Sequence, residues 1–312
     1  MGKLISMGDC IIDFLPAAPG SMTYTAKTGG APVNVCAAVA KLGKKACFLG
    51  KLAGDAFGRF LLNELQTFGI DTSLTVMDKK CKTGLAVVTL SGNGDREFFF
   101  YRDMPADANL SPDEVKEEMF SRGDVLHFCS VSLPESPTRH AIKRAAEYAR
   151  KRGALVSFDV NVRLNLWQDE NALKSAIAEF LPLADIVKVT DDELEFITGL
   201  SDEKEGIKRL FGQATNAKVV FVTRGANGSA VYDRAMNGRS YAAYPSEVAD
   251  TTGAGDCFIG SIIAHLLDGD AELSAAGLAA ATEFAVRACA CVISKKGGAP
   301  SMPSREEVEA LK

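Results

Sequence analysis

Asp250-Thr251-Thr252-Gly253-Ala254-Gly255-Asp256 runs without a break into the apolar segment Cys257–Leu267. Its small residues leave backbone N–H groups uncovered at a helix start, where the peptide dipoles leave a positive end. Such a start suits a transferring phosphoryl group, whose negative charge grows on oxygens that those amides can reach. Asp256, in the first helical turn beside the same amides, is placed to take a proton from an attacking hydroxyl. A plainer reading stays open from these residues alone: Thr252 or Asp250 caps the helix, and Asp256 merely complements its dipole.

Outward from that stretch, short β-like runs alternate with longer helical patterns. Leu4–Met7 reads as a strand, Pro32–Leu42 as an alanine-rich helix stopped by Gly43, Ala46–Leu52 as a strand and Asp55–Phe68 as a helix ending at Gly69. From Asp124 onward strands are expected at Val125–Cys129, Leu155–Val160, Ile186–Val189 and Val219–Thr223. Helices between them include Ser136–Arg152 and Asn171–Phe180. Ser229–Asp233 and Ser240–Tyr244 read as a hairpin, and two long helices, Ala254–Leu267 and Leu273–Val292, dominate the end. Repeated strand–helix–strand units imply a mainly parallel sheet with helices on both faces, an α/β fold. Thr83–Leu90, a turn at Gly92-Asn93-Gly94 and Glu97–Tyr101 break the rhythm as a hairpin set outside that sheet, as a flap. No internal repeat, linker or low-complexity tract interrupts the chain. One domain, 1–312, with a small inserted lid is the economical arrangement.

Further stretches carry chemistry. Gly29-Gly30-Ala31-Pro32-Val33-Asn34 leads into a helix; its glycines permit close backbone approach to a ligand, and Asn34 offers both a donor and an acceptor. The same residues fit an ordinary loop with Pro at the helix start. Gly8-Asp9-Cys10-Ile11-Ile12-Asp13 ends the first strand, where carboxylates of α/β sheets project toward the ligand crevice. Asp9 fits either a ligand contact or a turn. Lys188-Val189-Thr190-Asp191-Asp192-Glu193 fits a capping box, Thr190 closing a helix through Glu193. Thr223-Arg224-Gly225-Ala226-Asn227-Gly228 follows a buried strand and is, alone, a bare G-x-x-G turn.

In order, these segments resemble the ribokinase-like (PfkB) carbohydrate kinases. The stretch 250–256 is similar to that family's C-terminal signature, and 29–34 to its N-terminal one. Asp159-Val160-Asn161-Val162-Arg163-Leu164-Asn165-Leu166-Trp167 resembles the D-x-N-x-R…L-W stretch of fructokinases. Lys188 with Glu193 looks like the family's lysine and N-x-x-E element, with Thr190 in place of Asn; 223–228 resembles its T-x-G-x-x-G nucleotide contact. Lys295-Lys296-Gly297-Gly298-Ala299-Pro300-Ser301 resembles a loop that closes a monovalent cation site. Arg96-Glu97-Phe98-Phe99-Phe100-Tyr101-Arg102, then Ala106-Asp107, looks like the fructokinase F-x-F-Y-R…A-D element. Cys36 stands where Ser, Thr or Ala is usual and Ala53 where Gly is usual, small for small. The resemblance runs from Met1 to about Pro303.

It implies a ribokinase-like three-layer sandwich with a mainly parallel central sheet and a β-lid from about 14–28 and 82–105. The implied reaction is ATP-dependent phosphorylation of a primary hydroxyl, foremost D-fructose to D-fructose 6-phosphate. Asp256 would be the base, Gly253, Ala254, Gly255 and Asp256 the amide hole for the moving phosphoryl, and Arg163 a partner of phosphate oxygens or of the sugar side. Asp13, Gly29, Gly30, Asn34, Phe100, Arg102, Asn161 and Asp256 would meet the sugar; Lys188, Glu193, Thr223, Gly225, Gly228, Gly253 and Gly255 the nucleotide. ATP would come with Mg2+, which Glu193 reaches through water, and K+ would sit on oxygens of Asp250, Thr252, Val292, Gly297 and Ser301. The resemblance also implies a homodimer joined through the lid, whose alternating aromatics could give one face to the sugar and one to the partner; packing within the lid alone is the plainer reading. Kinases of 2-keto-3-deoxygluconate, whose Arg meets the substrate carboxylate, and of aminoimidazole riboside or ribose share several elements. A catalytically idle sugar sensor on the same fold is the alternative of another class; intact Asp256, Lys188 and Glu193 speak against it.

Composition bounds the rest. A chain of 312 residues buries about 75% of its unfolded surface and needs no staple. A net charge of −5 gives no basic footprint, so no nucleic-acid partner is expected. Eight scattered cysteines, without C-x-x-C spacing and with only three histidines, read as reduced hydrophobes of a cytoplasmic protein. The first residues enter a strand at once, with no leader pattern, and the apolar helices carry charges within about 20 residues, so no membrane partner is expected. No G-x-x-x-x-G-K-[ST] is present and no G-x-G-x-x-G follows the first strand, against a Walker-type ATPase or a dinucleotide oxidoreductase.

Overall fold

The computed structural model describes residues 2–90, 96–103, 105–269 and 273–311. The expected turn at 92–94 lies outside the described residues, as do the side chains of Leu90, Arg96, Glu97 and Phe98.

An eight-stranded sheet forms the centre. It starts from β1 (Leu4–Met7), after which the chain crosses into β2 (Ile11–Pro16) and β3 (Tyr24–Gly29) of a separate sheet and returns through α1 (Ala31–Lys41) to β4 (Ala46–Leu49). The strand expected over 46–52 is therefore two pieces. Gly50, where a Cβ would stand 2.5 Å from the Phe48 ring, parts β4 from β5 (Lys51–Ala53). β5 instead pairs with β6 (Val76–Asp78) across the helix α2 (Ala56–Thr67). β7 (Leu85–Leu90) and β8 (Arg96–Tyr101) form the expected hairpin and join β2 and β3 in a four-stranded sheet ordered β3-β2-β7-β8.

The chain then alternates as read from the sequence: β9 (Val125–Cys129), α3 (Pro137–Lys151), β10 (Leu155–Asp159), α4 (Glu170–Phe180), β11 (Ile186–Thr190), α5 (Asp191–Thr198), α6 (Glu203–Gln213) and β12 (Val219–Thr223). β13 (Ser229–Asp233) and β14 (Gly238–Tyr241) make the second hairpin, and α7 (Ala254–Leu266), α8 (Ala275–Ile293) and α9 (Arg305–Glu309) follow. The central order is β14-β13-β12-β11-β10-β9-β1-β4, parallel from β4 to β12 and antiparallel in the last two strands.

Strand periodicity places helices on both faces. Leu4, Phe48, Val125, Ile186, Val219 and Phe221 point into one core with residues of α1, α7 and α8. Their neighbours Ile5, Leu49, Leu126, Val187 and Val220 point into the other, with residues of α3, α4 and α6. Phe128 stacks on Phe158 at 4.9 Å across β9 and β10, a pair worth about 1 kcal/mol beyond its buried area. Local signals set the helix ends. Asp55 caps α2 by accepting from Gly58 N–H at 2.7 Å, and Ser136 caps α3 with Pro137 in its first turn.

α8 needs separate comment. It carries the expected charges, Glu283 and Arg287, yet with 19 residues and a mean hydropathy of 1.6 it is by length and composition apolar enough to cross a membrane, which the sequence reading did not expect. Half of that span is buried here, where Leu278, Ala281, Ala285 and Ala288 pack in one core with Ile259, Ile262 and Ile263 of α7. The eight cysteines are free thiols, six of them buried.

Candidate active site

Parallel strands bring their carboxyl ends to one edge, and there the chain turns into its loops. Asp9 follows β1, Asp159 ends β10, Asn161 follows it, and Thr190 ends β11. The small sheet stands over this edge with Ile11, Asp13, Phe100 and Arg102, and the N-terminus of α7 closes one side. The resulting cleft holds about 530 Å³. It collects Asp13, Gly30, Asn34, Phe100, Arg102, Asn161, Arg163, Lys188, Glu193 and Thr252 together with Gly253, Ala254, Gly255 and Asp256.

Gly253 caps α7 in the left-handed region, φ 80° and ψ 2°, a conformation costly for any side chain but glycine's. No side chain caps the helix, so the capping role allowed for Thr252 and Asp250 falls away. Asp250 instead accepts from the Thr252 N–H (3.0 Å) and hydroxyl (2.7 Å), which tightens the loop. Among the described residues the N–H groups of Gly253, Gly255 and Asp256 donate to no protein group. The Ala254 N–H does donate, to Thr251 O at 3.2 Å, and thereby leaves the set of free amides expected from 253–256. Asp256 is buried, and its Oδ2 accepts from Asn34 Nδ2 at 2.8 Å. Burial raises its pKa above the usual aspartate value, opposed by the Asn34 hydrogen bond and by the charges of Lys188 and Arg163.

Lys188 enters from β11 beneath the helix start. A Cβ on Gly255 would stand 3.0 Å from its Nζ, so the glycine gives the ammonium its place. The ammonium lies 3.1 Å from Asp159 Oδ1, with both side chains almost wholly buried. Among the described residues neither Asp159 oxygen has a hydrogen-bond partner, so the contact with Lys188 is an ion pair. Burial favours the neutral lysine, but Asp159 and then Glu193 outweigh it and hold Lys188 above the ordinary lysine range. Asp159 is itself raised, by burial first. Glu193 completes the anticipated capping box with Thr190, and its other oxygen accepts from Val162 N–H at 2.8 Å. The carboxylate thus ties α5 to the loop after β10. In that loop Asn161 takes φ 41°, a left-handed conformation that Asn tolerates better than most residues. Arg163 is solvent-exposed at the cleft rim.

At the far end Asp9 is buried, accepting from the Ser132 hydroxyl at 2.8 Å while its N–H donates to Ser132 Oγ at 3.0 Å. Asp13 belongs to β2 rather than to the end of the first strand. It packs on Gly29, where a Cβ would stand 2.4 Å from its carboxylate. Gly29 thus makes room for a cleft residue without lining the cleft. Burial, with Asp9 adding to it, pushes Asp13 up to about 7. Gly30, φ 117°, lets α1 start directly against the Asp9 carbonyl. Arg102 pairs with Asp107, and both reach an adjoining hollow of about 400 Å³ beside Ser132, Glu135 and Ser136.

Thr223, Gly225 and Gly228 stand off the cleft lining, at the end of β12. Gly228, φ 85°, passes so close to the Tyr241 carbonyl that a Cβ would stand 2.0 Å from its oxygen. Asp250, Gly297 and Ser301 gather where two loops meet behind Gly253, and Val292 lies in the last turn of α8, whose Ile293 carbonyl accepts from the Asp250 N–H at 3.1 Å. Gly297 N–H donates to Asp250 Oδ2 at 3.2 Å, and the Ser301 hydroxyl to Gly298 O at 2.8 Å. Sequence reasoning passed over Asp159, Asn165 and Leu166 as site residues, although all three lie in the stretch 159–167; Ser132 carried no signal.

A family model described as pfkB family carbohydrate kinase matches residues 1–305. Fructokinase-1 of Oryza sativa subsp. japonica is 39% identical over 315 residues, covering 99% of this chain and 96% of its own. The structure of fructokinase from Vibrio cholerae O395 in a fructose, ADP and calcium ion bound form superposes with a TM-score of 0.89 at 30% identity, covering 100% and 99% of the two chains. Aminoimidazole riboside kinase from Salmonella enterica, complexed with aminoimidazole riboside and an ATP analog, reaches 0.89 at 28% identity over 99% of each chain.

Proposed function

The chain belongs to the pfkB family of carbohydrate kinases, and from that premise we propose that it moves the γ-phosphoryl group of ATP to the 6-hydroxyl of D-fructose. One observation carries the reading: a buried carboxylate, Asp256, one step inside a helix start whose amides at Gly253, Gly255 and Asp256 have no partner among the described residues. Fructose enters because the Oryza sativa relative is a fructokinase and a fructokinase structure holding fructose and ADP superposes over the whole chain.

The sugar lies against Asp13, Gly30 and Asn34 with its 6-hydroxyl toward Asp256. The hydroxyl proton passes to the carboxylate as the O6–P bond forms and the bond from phosphorus to the β,γ-bridging oxygen breaks, releasing ADP. The free amides meet the charge that grows on the transferring oxygens, and Lys188, held by Asp159, adds a fixed positive charge. Arg163 at the rim reaches phosphate oxygens. Thr223, Gly225 and Gly228 hold the nucleotide outside the cleft proper. Closure of the small sheet over the sugar excludes water and limits wasteful hydrolysis.

Each Glu193 oxygen accepts one backbone N–H and keeps a lone pair, which fits a water of a hydrated Mg2+. That ion supplies charge neutralisation on the phosphates. The all-oxygen set of Asp250, Thr252, Val292, Gly297 and Ser301 fits a hard monovalent cation such as K+. Phe99 and Tyr101, 45% and 65% exposed on the edge strand β8, suit pairing with the lid of a second copy of the chain. The reduced thiols accord with a cytoplasmic setting.

The adjoining hollow favours one second reading, a riboside whose base occupies it. A coupled ADP-release assay at fixed ATP over fructose, 2-keto-3-deoxygluconate, ribose and aminoimidazole riboside separates the readings. Fructose is expected to give the highest kcat/KM. No fructose-dependent ADP release overturns the assignment.

A further inference from the structure

The hollow beside the sugar end has an uneven charge. Among the described residues that line it, Asp107 and Glu135 are acidic and Arg102 is the one cation. Asp9 and Asp13 lie close enough for Asp9 to push up both Asp13 and Asp107. Asp107 is 2% exposed and fixed to the body of the protein, its carbonyl accepting from the Thr138 hydroxyl at 2.8 Å. Its Oδ2 meets the guanidinium of Arg102, which follows the last strand of the small sheet, and among the described residues its Oδ1 has no hydrogen-bond partner. A Cβ on Gly84 would stand 2.7 Å from that Oδ1, so the glycine keeps the buried carboxylate in place.

We propose that Asp107 sets acceptor specificity: by occupying the Arg102 guanidinium it makes the sugar end accept neutral sugars and turn away sugar acids. This rests on the sugar-kinase reading above. A substrate carboxylate is held best by a guanidinium edge free for two parallel hydrogen bonds. Here part of the guanidinium is committed to Asp107, and the arriving anion would also meet Asp9 and Asp13. A neutral hydroxyl has no such penalty. It donates to the carboxylates and accepts from the remaining guanidinium N–H groups.

The test compares kcat/KM for 2-keto-3-deoxygluconate and for fructose in the full-length protein and in Asp107→Asn, which keeps the shape and removes the charge. Asp107→Ser serves as a second variant should the first fail to fold, with circular dichroism melts for both. The acid-to-neutral ratio is expected to be below one in the wild type and to rise at least about tenfold in the variants. Adding Arg102→Gln to either variant should abolish the gain. A ratio that stays within about twofold of the wild type in a folded variant, or a wild type that prefers the acid, overturns the proposal. A wild type with no sugar-dependent ADP release at all would instead sink the sugar-kinase reading, a separate outcome.

Discussion

Asp256→Asn changes one oxygen to an amide nitrogen and removes a negative charge from a residue whose carboxylate is otherwise held in place. The remaining oxygen can still accept from Asn34, which now spans 2.8 Å to the wild-type carboxylate, so the cleft keeps its shape. What disappears is the proton acceptor for the attacking hydroxyl. Losing a general base costs about 10² to 10⁴ in rate, equivalent to about 3–5 kcal/mol of barrier. The loss should fall on kcat, with KM for fructose and ATP changing far less. Stability should move the other way. A buried carboxylate whose pKa is raised in the folded state binds its proton more readily there than in the unfolded chain. Wild-type stability therefore declines as pH rises from the unfolded aspartate pKa through the folded one, and the full cost is present above it. At pH 8 the variant is thus expected to melt above the wild type while turning over far more slowly. Coupled ADP release gives kcat, isothermal titration gives fructose affinity, and differential scanning fluorimetry gives the melt. A kcat within about tenfold of wild type would refute the assignment of Asp256 as base.

Asn34→Ala removes the donor that lowers the Asp256 pKa, so the acidic limb of the kcat–pH profile should move to higher pH; an unmoved limb excludes this coupling. Gly255→Ala puts a methyl group 3.0 Å from the Lys188 ammonium, which its pairing with Asp159 keeps from retreating freely. Turnover should drop by about tenfold or more with the fold intact, and unchanged kinetics would remove Lys188 from the reaction. Gly29→Ala forces the Asp13 carboxylate from its seat, since the new Cβ would stand 2.4 Å away. The KM for fructose should rise while the KM for ATP holds, and equal changes in both would show that Asp13 is not specific to the sugar.

The central sheet was readable because its strands are short unbroken apolar runs bounded by turns. Val125–Cys129 and Val219–Thr223 match the expectation residue for residue. The small sheet was read only in part. β3, Tyr-Thr-Ala-Lys-Thr-Gly, has too little apolar character to register as a strand, and Asp13 therefore looked like the end of β1. The split at Gly50 depends on the Phe48 ring, which no local pattern reveals. Motif residues were legible as a set because their spacing survives in the sequence. Their partners were not: the contacts of Lys188 with Asp159, Arg102 with Asp107 and Asp9 with Ser132 are made by chain crossings, and nothing in either segment names the other.

The cleft is assembled by two owners. Asp159, Lys188, Glu193 and the start of α7 come from the central sheet and its loops, whereas Ile11, Asp13 and Phe100 come from a sheet that the chain visits in two excursions, 11–29 and 85–101, with Arg102 directly after the second. Inheritance can therefore act on each half alone. Swapping those two excursions between relatives should transplant a taste for a different acceptor while the phosphoryl-donating half passes unaltered, so that new substrates arise by exchange of parts rather than by rebuilding the enzyme.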